Sequence, residues 1–361
     1  MKHSPLLPSH ESAGARLAEH PASSPDSDPR LFVLTFGDVP AEYESAHSGC
    51  AMFDSTERGL IRVTGEDAAS FLHGLLSNEV RSLEAGTGNA NLLLSAKGKV
   101  LYGFDLFMGE DEILLSAEPG TGAALMTALD MYHFVEKVVF EDISEQHAPI
   151  SVCGASALQL LTEVLGELPE LSDHSHARID WNGNSVWITA LEVAGSPGYR
   201  IDAGGEHASE LWNALQAAGA SPTGQVVQDI MRVEAGRAAH GTDITDEIYP
   251  QEARLDAAFS LEKGCYIGQE VVAKIDTYGG LNKQIMVLKM THDDPITPGT
   301  PLEFTEDGET RKLGVVTSWA YSFVLDTGLV LAYVKRKHQE TGKIFQVAGA
   351  DATIVEFPVK A

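Results

Sequence analysis

The sequence predicts an α+β protein that ends in a small antiparallel barrel or sandwich. Between residues 31 and 280, short strands alternate with helices and hairpins, unlike the regular strand–helix repeat of a doubly wound parallel sheet. From Lys283 onward, only short strands follow one another, separated by Pro, Gly, Asp and Thr turns. The chain also lacks a G-x-G-x-x-G after a strand and a phosphate-binding GKS or GKT. A nucleotide-binding fold is therefore not expected.

Local patterns assign the elements up to residue 140. Phe71, Leu72 and Leu75 recur at helical spacing, and Ala96–Lys99 separates two apolar stretches as the turn of a β-hairpin does. The predicted strands are Leu31–Phe36, Gly59–Gly65, Asn91–Ser95, Val100–Phe107, Glu112–Ala117 and Phe134–Phe140. The predicted helices are Pro40–His47, Asp67–Leu76 and Gly120–Tyr132.

A similar order of elements resumes at Ile150, and Cys153 lies in an apolar strand as a core residue would. Further strands are predicted at Ser185–Leu191 and Gly198–Asp202, with helices at Ala155–Leu165 and Glu206–Ala218. The barrel strands are Ile285–Met290, Leu302–Phe304, Leu313–Ser318, Leu329–Val334, Ile344–Val347 and Thr353–Phe357. The expected domains are a leader (1–30), an α+β region (31–280) and a C-terminal β-domain (283–361).

Composition limits the class of partner. The 361 residues carry a formal net charge of −27, which disfavours non-specific binding to nucleic acid or to an anionic membrane. No apolar run approaches the roughly 20 residues of a membrane-spanning helix. The first thirty residues are rich in Pro, Ser, Ala and His and lack the apolar centre of a secretory signal, which predicts a disordered leader.

Cysteine usage indicates a reducing compartment, so a cytoplasmic location is expected. The three cysteines, Cys50, Cys153 and Cys265, are odd in number and far apart, unlike a disulfide framework. No CxxC pair or Cys/His cluster has the spacing of a metal site, so no bound metal is expected.

The densest chemical segment is Lys263-Gly264-Cys265-Tyr266-Ile267-Gly268-Gln269-Glu270. No helix or strand period explains this composition. Gly264 and Gly268 flank Cys265 and suggest a tightly bent loop. Lys263, two residues away, favours the thiolate, which is the reactive form of cysteine. The alternative on local chemistry alone is that Cys265 is a small buried apolar residue, as most free cysteines are.

This eight-residue string resembles the signature of the YgfZ-type folate-binding proteins. They are relatives of the glycine-cleavage T-protein and help to maintain iron–sulphur enzymes. Landmarks elsewhere are similar to the T-protein superfamily, and together they extend from Phe32 to Phe357. These landmarks are Arg58–Asp67, Leu76–Val80, Gly98–Leu101, Arg232–Gly236, Gly241–Ile244 and Pro250–Glu252.

The resemblance implies a three-lobed cloverleaf around a central folate channel, with two lobes before the C-terminal β-barrel. It implies tetrahydrofolate as cofactor and iron–sulphur client enzymes or assembly proteins as partners. Glu234 falls at the family's pterin-binding glutamate, and Cys265, with Lys263 and Tyr266 beside it, falls on the YgfZ-type signature. Arg232 and Arg254 are weaker candidates for the acidic tail of folate.

Elementary chemistry is consistent with Glu234 as a pterin ligand. A carboxylate accepts two parallel hydrogen bonds from an N–H/NH2 edge, and a pterin ring presents such an edge. The alternative is an ordinary ion pair of Glu234 with Arg232 or Arg237. The residues alone do not decide between these interpretations.

One departure from the family pattern concerns catalysis. In aminomethyltransferases, the strand after Gly98-Lys99 carries an aspartate pair that assists transfer of the one-carbon unit. Those positions are Tyr102 and Gly103 here, and the nearest aspartate is Asp105. An offset of two residues moves a side chain about 7 Å along a strand. That distance is too long for the same proton transfer.

Three functions follow as hypotheses. The first is a tetrahydrofolate-binding accessory protein that supports assembly or repair of iron–sulphur clusters, with Cys265 as its working thiol. The second is a folate-dependent aminomethyltransferase or demethylase that uses Asp105. The third, with the least support, is a cysteine hydrolase or thiol transferase with Cys265 as nucleophile and His240 as base.

Overall fold

A computed structural model describes residues 4–20 and 30–360 of the chain. The chain divides into two compact units, the first made of residues 1–91 and 102–227 and the second of residues 92–101 and 228–361. The second unit thus holds residues 228–280, the hairpin segment 92–101 and the C-terminal β-domain, and the predicted domain bounds stay a prediction.

The described residues of the first unit form three sheets, of six, five and two strands, with helices beside them. Its helices are α1 (Leu7–Ser12), α2 (Val39–His47), α3 (Ala68–Leu75), α4 (Gly122–Asp130), α5 (Ala157–Leu165) and α6 (Ala208–Ala217). Its strands are β1 (Arg16–His20), β2 (Arg30–Thr35), β3 (Ala51–Asp54), β4 (Gly59–Thr64), β5 (Thr87–Leu94), β6 (Val100–Met108), β7 (Ile113–Ala117), β8 (Val139–Asp142), β9 (Ile150–Cys153), β10 (His176–Trp181), β11 (Asn184–Val193), β12 (Ser196–Asp202) and β13 (Ser221–Pro222). Strands β5 and β6 each extend across a boundary between the units.

A six-stranded sheet has the order β10-β11-β12-β9-β3-β13. Its neighbours pair antiparallel except β13, which runs parallel to β3. The inner face packs against the apolar sides of α5 and α6, with Ile150, Leu161 and Trp212 in the core. Cys50 and Cys153 are both buried, which confirms the predicted core position of Cys153.

The second sheet has the order β5-β6-β7-β4-β8, and most of the predicted strands fall in place. The exception is the predicted strand Phe134–Phe140. Only residues from Val139 onward are extended, because residues 131–138 form a turn held by its own side chains. Strand β10, which pairs with β11, was not predicted, because its residues His176–Trp181 show no clean alternation of apolar and polar side chains.

The predicted disordered leader is wrong for residues 4–20. This segment contains α1 and β1, and β1 pairs antiparallel with β2. The reason is tertiary: Leu6 is fully buried in the core beside the six-stranded sheet, and His10 Nε2 lies 2.8 Å from Asp54 Oδ2. Residues 1–3 and 21–29 lie outside the described part of the chain.

The second unit contains a closed barrel. Its helices are α7 (Gln225–Glu234), which begins in the first unit, and α8 (Gln269–Tyr278). Its strands are β14 (Lys283–Met290), β15 (Pro301–Glu306), β16 (Glu309–Ser322), β17 (Thr327–Lys335), β18 (Ile344–Val347) and β19 (Ala350–Val355). They close in the order β14-β17-β16-β15-β18-β19, with β19 paired back to β14.

The barrel is filled by alternate side chains of its strands, among them Leu288, Leu302, Val316, Phe345 and Ile354. All six predicted strands are present. The sequence alone was compatible with either a barrel or a sandwich, and the pairing of β19 with β14 shows that the domain is a closed barrel. Among the described residues, no helix is long and apolar enough to cross a membrane.

Candidate functional site

The cysteine loop, which we define as residues 260–268 of the second unit, leads into α8. Cys265 is an exposed free thiol, so the alternative of a buried core cysteine is wrong. The loop is held from within, since Ser260 Oγ accepts hydrogen bonds from the backbone N–H of Glu262 and of Lys263. Gln269 Nε2 donates to the Lys263 carbonyl at 3.3 Å. The thiol therefore lies on a tethered loop rather than in the core.

Gly268 explains the bend of the cysteine loop. Its φ of +80° lies in the left-handed region, and a Cβ at this position would meet the Ser95 carbonyl oxygen at 2.5 Å. Gly98, in the same hairpin turn as Ser95, has φ +73° and would place a Cβ 3.0 Å from Val271. Two glycines thus permit the turn between β5 and β6 to approach the start of α8.

Lys263 and Tyr266 flank the thiol but are themselves buried. The Lys263 ammonium group lies 5.4 Å from the centroid of the Tyr266 ring, in a cation–π contact. Burial raises the pKa of Tyr266 to about 12. Within the described residues, the Tyr266 hydroxyl is buried and has no hydrogen-bond partner. An unpaired buried hydroxyl is costly, so it marks a position where a ligand or a water would be stabilised.

Glu234 ends α7 and is buried. Its Oε1 accepts hydrogen bonds from the Ser322 hydroxyl at 2.5 Å and from the Val324 backbone N–H at 3.4 Å. These contacts join the end of α7 to the end of β16. The carboxylate is therefore held in a fixed orientation, and its predicted role toward a pterin stays a prediction.

Arg232 is committed to a network inside the second unit. Its Nε donates to Asp229 at 2.6 Å and its NH1 donates to the fully buried carboxylate of Asp243 at 2.8 Å. NH2 donates to Ser318 Oγ at 3.0 Å, and Ser318 in turn donates to Asp243. Since every guanidinium nitrogen of Arg232 has a partner, this network favours a structural role over binding of the acidic tail.

Arg254 lies in an irregular segment with φ +57°. Its Nε donates to the Ile285 carbonyl at 3.1 Å, and its guanidinium group lies 5.0 Å from the centroid of the Phe357 ring. Burial lowers the pKa of the Arg254 guanidinium. The side chain thus anchors this segment to the start of the barrel.

A second cluster, in the first unit, forms around Asp105 on β6. Arg58 NH2 lies 3.4 Å and Arg200 NH1 3.2 Å from Asp105 Oδ2, while His174 Nε2 lies 3.4 Å from Oδ1. Ser116, opposite Asp105 on β7, accepts from both arginines. We call these residues the Asp105 cluster.

The neighbouring charges of the Asp105 cluster determine the protonation state of the Asp105 carboxyl group. Burial alone would raise the pKa of Asp105, but the His174 hydrogen bond and the positive charges of Arg58 and Arg200 outweigh it and hold that pKa well below its usual range. Burial and the charge of Arg58 lower the pKa of Arg200 to about 10. A carboxylate stabilised this strongly is a poor proton acceptor near neutral pH.

A small cavity adjoins the Asp105 cluster. Its volume is about 20 Å³, enough for one water molecule. Arg200 Nε is buried and has no partner among the described residues. The residues that line the cavity are Arg58, Gly59, Leu60, Ser116, His147, Pro149, Trp187, Arg200 and Asp202.

Sequence reasoning singled out Asp105 but missed its partners. Arg58, His174 and Arg200 come from distant segments, so no motif joins them. One signal was present: Arg200 stands between Tyr199 and Ile201 in the predicted strand Gly198–Asp202, and a charge within a sheet needs a partner of opposite charge. Across residues 4–20 and 30–360, no group of three or more His, Cys, Asp or Glu could hold a metal ion.

Comparisons with known proteins agree with the fold. The GCVT N-terminal domain family matches residues 14–263, and the glycine cleavage T-protein C-terminal barrel domain matches residues 283–359. The crystal structure of the glycine cleavage system aminomethyltransferase T from Bartonella henselae superposes with a TM-score of 0.86 at 23% identity, covering 99% of this chain and 97% of that one.

Curated relatives cover most of the chain. A chloroplastic protein of Arabidopsis thaliana, named only as a transferase, is 27% identical over 87% of this chain and 72% of its own length. The aminomethyltransferase of Herpetosiphon aurantiacus is 26% identical over 100% of this chain and 96% of the relative. The aminomethyltransferase of Nitrosococcus oceani is 29% identical over 92% of this chain and 87% of the relative.

The class is therefore an α+β protein with a closed C-terminal antiparallel barrel, which confirms the predicted fold class. Since the family matches extend over most of its length, the chain belongs to the glycine-cleavage T-protein family.

Proposed function

We propose that this chain is a tetrahydrofolate-binding accessory protein that supports assembly or repair of iron–sulphur clusters in client enzymes. The observation that carries the proposal is the exposed thiol of Cys265 on a tethered loop. A buried cysteine would have no access to a partner, whereas this one can react with a protein or an iron atom. We further propose that it acts in the cytoplasm.

The environment of Asp105 supports this proposal indirectly. The positions of the family's aspartate pair are Tyr102 and Gly103, and Asp105 is held ionised between two arginines. Proton transfer during one-carbon transfer needs a group whose pKa lies near the operating pH. Asp105 does not meet this requirement.

The second unit contains residue types that fit tetrahydrofolate. Glu234 supplies a carboxylate whose orientation is held by Ser322, which suits the N–H/NH2 edge of a pterin. The hydroxyl of Tyr266, which has no hydrogen-bond partner among the described residues, supplies a polar atom that a ligand would satisfy. When bound, tetrahydrofolate would supply one-carbon chemistry, while Glu234 would orient the pterin.

Cys265 would act as a single thiol. Its thiolate could attack a disulfide of a partner, forming a mixed disulfide and releasing the partner's other sulfur as a thiolate, or it could ligate iron transiently. It could not hold a cluster alone because clusters are held by several thiolates. That limit is consistent with an auxiliary role. Lys263 and Tyr266, which are buried and contact each other, would position the loop.

Calorimetric titration with tetrahydrofolate tests the proposal. Wild type would be compared with Glu234→Gln, which retains an acceptor for Ser322 but removes the charge, and with Cys265→Ser. We expect wild type and Cys265→Ser to bind equally and Glu234→Gln to bind at least about tenfold more weakly. No binding by wild type would overturn tetrahydrofolate as the ligand.

A cell-based assay tests the accessory role. Cells that lack this protein would be complemented with wild type or with Cys265→Ser, and the activity of iron–sulphur enzymes would be measured. We expect wild type to restore activity and Cys265→Ser to fail despite equal expression. Restoration by both would remove the thiol from the mechanism.

A second candidate function is folate-dependent one-carbon transfer of the aminomethyltransferase type. The specific observation in its favour is that relatives with this name match nearly the whole chain, and by name they favour it over the accessory role. It predicts formation of a methylene-folate from a small amine or methylated substrate without any client protein. Product formation that Cys265→Ser retains and Asp105→Asn abolishes would establish this function.

A further inference from the structure

An apolar surface lies where the sequence predicted a strand. We define the apolar tip as Met131, Phe134, Val135 and Val139, which are 67%, 81%, 88% and 60% exposed. Single exposed apolar residues are ordinary, but a contiguous group of large ones is uncommon on a monomer and marks an interaction site. Neither folate binding nor the thiol accounts for this surface.

The turn that carries the apolar tip is held rigidly. Glu136 Oε2 accepts hydrogen bonds from the backbone N–H groups of Phe134 and Val135, each at 3.0 Å. These bonds keep the pKa of Glu136 below its usual value. His133 donates from Nε2 to the Glu136 carbonyl at 2.8 Å, and its Nδ1 lies 3.2 Å from Asp130. A preorganised surface loses little entropy when it binds a partner.

The turn is also fixed to its neighbour in the sheet. The Lys137 backbone N–H donates to Asp67 Oδ2 at 2.8 Å, and its ammonium group donates to Glu66 at 2.7 Å. Strand β8 follows and pairs with β4 as the last strand of its sheet in the described part of the chain. Its outer edge is therefore available to an added strand.

Carboxylates surround the apolar tip. The nearby cations are already paired, Lys137 with Glu66 and Arg62 with Glu112 and Glu141. The side chains of Glu66 and Asp130 are 77% and 64% exposed, so their charge faces solvent. The acidic residues of this rim are Glu66, Asp67, Asp130, Glu136, Glu141 and Asp142.

We propose that the apolar tip and the edge of β8 form a docking surface for an extended segment of a partner protein, in which apolar residues are flanked by Lys or Arg. The apolar residues would cover Phe134 and Val135, and the basic residues would face the acidic rim. Charge complementarity of this kind speeds association and excludes wrong partners. The inference holds for either candidate function.

The charge argument separates this occupant from two others. A second copy of the chain would bring the same acidic rim and a net charge of −27, so the copies would repel each other. An anionic membrane is disfavoured for the same reason. A basic and apolar protein segment is attracted by both features of the surface.

Selection from a phage-displayed library of random linear peptides on the full-length protein tests the proposal. The most enriched peptide would be synthesised, and its affinity for wild type measured by fluorescence anisotropy. The test variant is Phe134→Ser with Val135→Ser, whose side chains point to solvent. The control is Leu158→Ser with Ile344→Ser, which removes two exposed apolar side chains elsewhere on the chain.

We expect enriched peptides with apolar residues flanked by Lys or Arg. We expect about tenfold weaker binding by the test variant, with the control within about twofold of wild type. Affinity should also fall as salt rises. Folate titration of the test variant should be unchanged, so failure of this inference is distinguishable from failure of the proposed function.

Four outcomes would overturn the inference. They are no enrichment, peptides without a basic bias, equal binding by the test variant, and equal loss of binding by the control. Concentration-dependent dimers of wild type that the test variant abolishes would assign the surface to a second copy instead. Binding to phosphatidylcholine vesicles that the test variant abolishes would assign it to a membrane.

Discussion

The cysteine loop and the Asp105 cluster are built in opposite ways. The loop is one continuous segment that carries an exposed thiol. Hydrogen bonds between near neighbours in the sequence hold its backbone. The Asp105 cluster joins side chains from distant segments, and its charges are partly buried and paired. The loop can therefore react with something outside the protein, whereas the cluster is occupied with its own charges.

The comparison teaches that a strongly shifted pKa does not by itself mark a catalytic group. The pKa of Asp105 is strongly depressed, yet its shift comes from the His174 hydrogen bond and the ion pairs with Arg58 and Arg200, which also stabilise the fold. Substitutions in the cluster should therefore act on stability. Substitutions at the thiol should act on function alone.

The largest effect is expected for Arg58→Met. This change removes one of the two guanidinium groups that neutralise Asp105 and leaves a partly buried carboxylate with less compensation. We expect the free energy of unfolding to fall by about 3 kcal/mol, measured by urea denaturation.

The matched control for Arg58→Met is Arg62→Met, which removes an arginine paired with Glu112 and Glu141 at the surface. Its cost should stay below about 1 kcal/mol. Equal costs at the two positions would mean that the Asp105 cluster is no more than a surface ion-pair network.

Gly268→Ala is expected to have the next largest effect. The residue has φ +80°, and its new Cβ would lie 2.5 Å from the Ser95 carbonyl oxygen. Strain and collision together should cost about 2 kcal/mol of unfolding free energy. Gly308→Ala is the control, because Gly308 has φ +81° and nothing within 4 Å of its Cβ.

Since alanine would adopt the same strained left-handed backbone at both positions, the difference in unfolding free energy between the two variants measures the close approach of the hairpin turn to the cysteine loop. Equal costs would show that the loop does not depend on that approach.

Acid should weaken the Asp105 cluster. Because the folded-state pKa of Asp105 is depressed, its stabilisation is complete above the unfolded pKa near 4 and is lost as pH falls toward the folded value. Between pH 4 and pH 3, wild type should lose up to about 1 kcal/mol more than Asp105→Asn. Urea denaturation at several pH values would measure this, and parallel curves would contradict it.

Cys265→Ser should have the smallest effect on stability, within about 0.5 kcal/mol, because the side chain is exposed. Its effect should appear in thiol chemistry. Burial raises the pKa of Cys50 to about 11 and that of Cys153 to about 12, so neither should react quickly in the native protein.

Titration with Ellman's reagent would check this. Wild type should show one fast-reacting thiol in native buffer and three reacting thiols in urea. Cys265→Ser should show no fast-reacting thiol in native buffer and two reacting thiols in urea. A fast thiol in native Cys265→Ser would mean that a buried cysteine is reached by local opening.

Most of the fold could be predicted because its elements carry local signals. The helical spacing at Phe71, Leu72 and Leu75 and the turns between the barrel strands need no tertiary information. The errors fell where tertiary contacts override composition. Leu6 anchors a leader whose composition is typical of a disordered segment. The sequence pattern at Phe134 and Val135 predicts a strand, although Glu136 holds these residues in a turn.

The candidate site divides in the same way. The cysteine motif was readable because its residues are adjacent in sequence, and so was the glutamate at the end of α7. The exposure of Cys265 was not readable, because burial depends on which segments pack over a loop. Nor could the sequence show that the guanidinium group of Arg232 donates hydrogen bonds to Asp243 and Ser318.

By itself, the sequence determined the α+β class, the C-terminal β-domain, the acidic surface and the cysteine motif, because periodicity, composition and adjacency are local properties. Only the tertiary structure decided which charges are neutralised and which apolar groups reach solvent. Strand pairing brings Arg58, which precedes β4, to Asp105 on β6, whereas Arg200 reaches Asp105 from the other sheet. Such contacts depend on sheet order and register, which single-residue patterns do not encode.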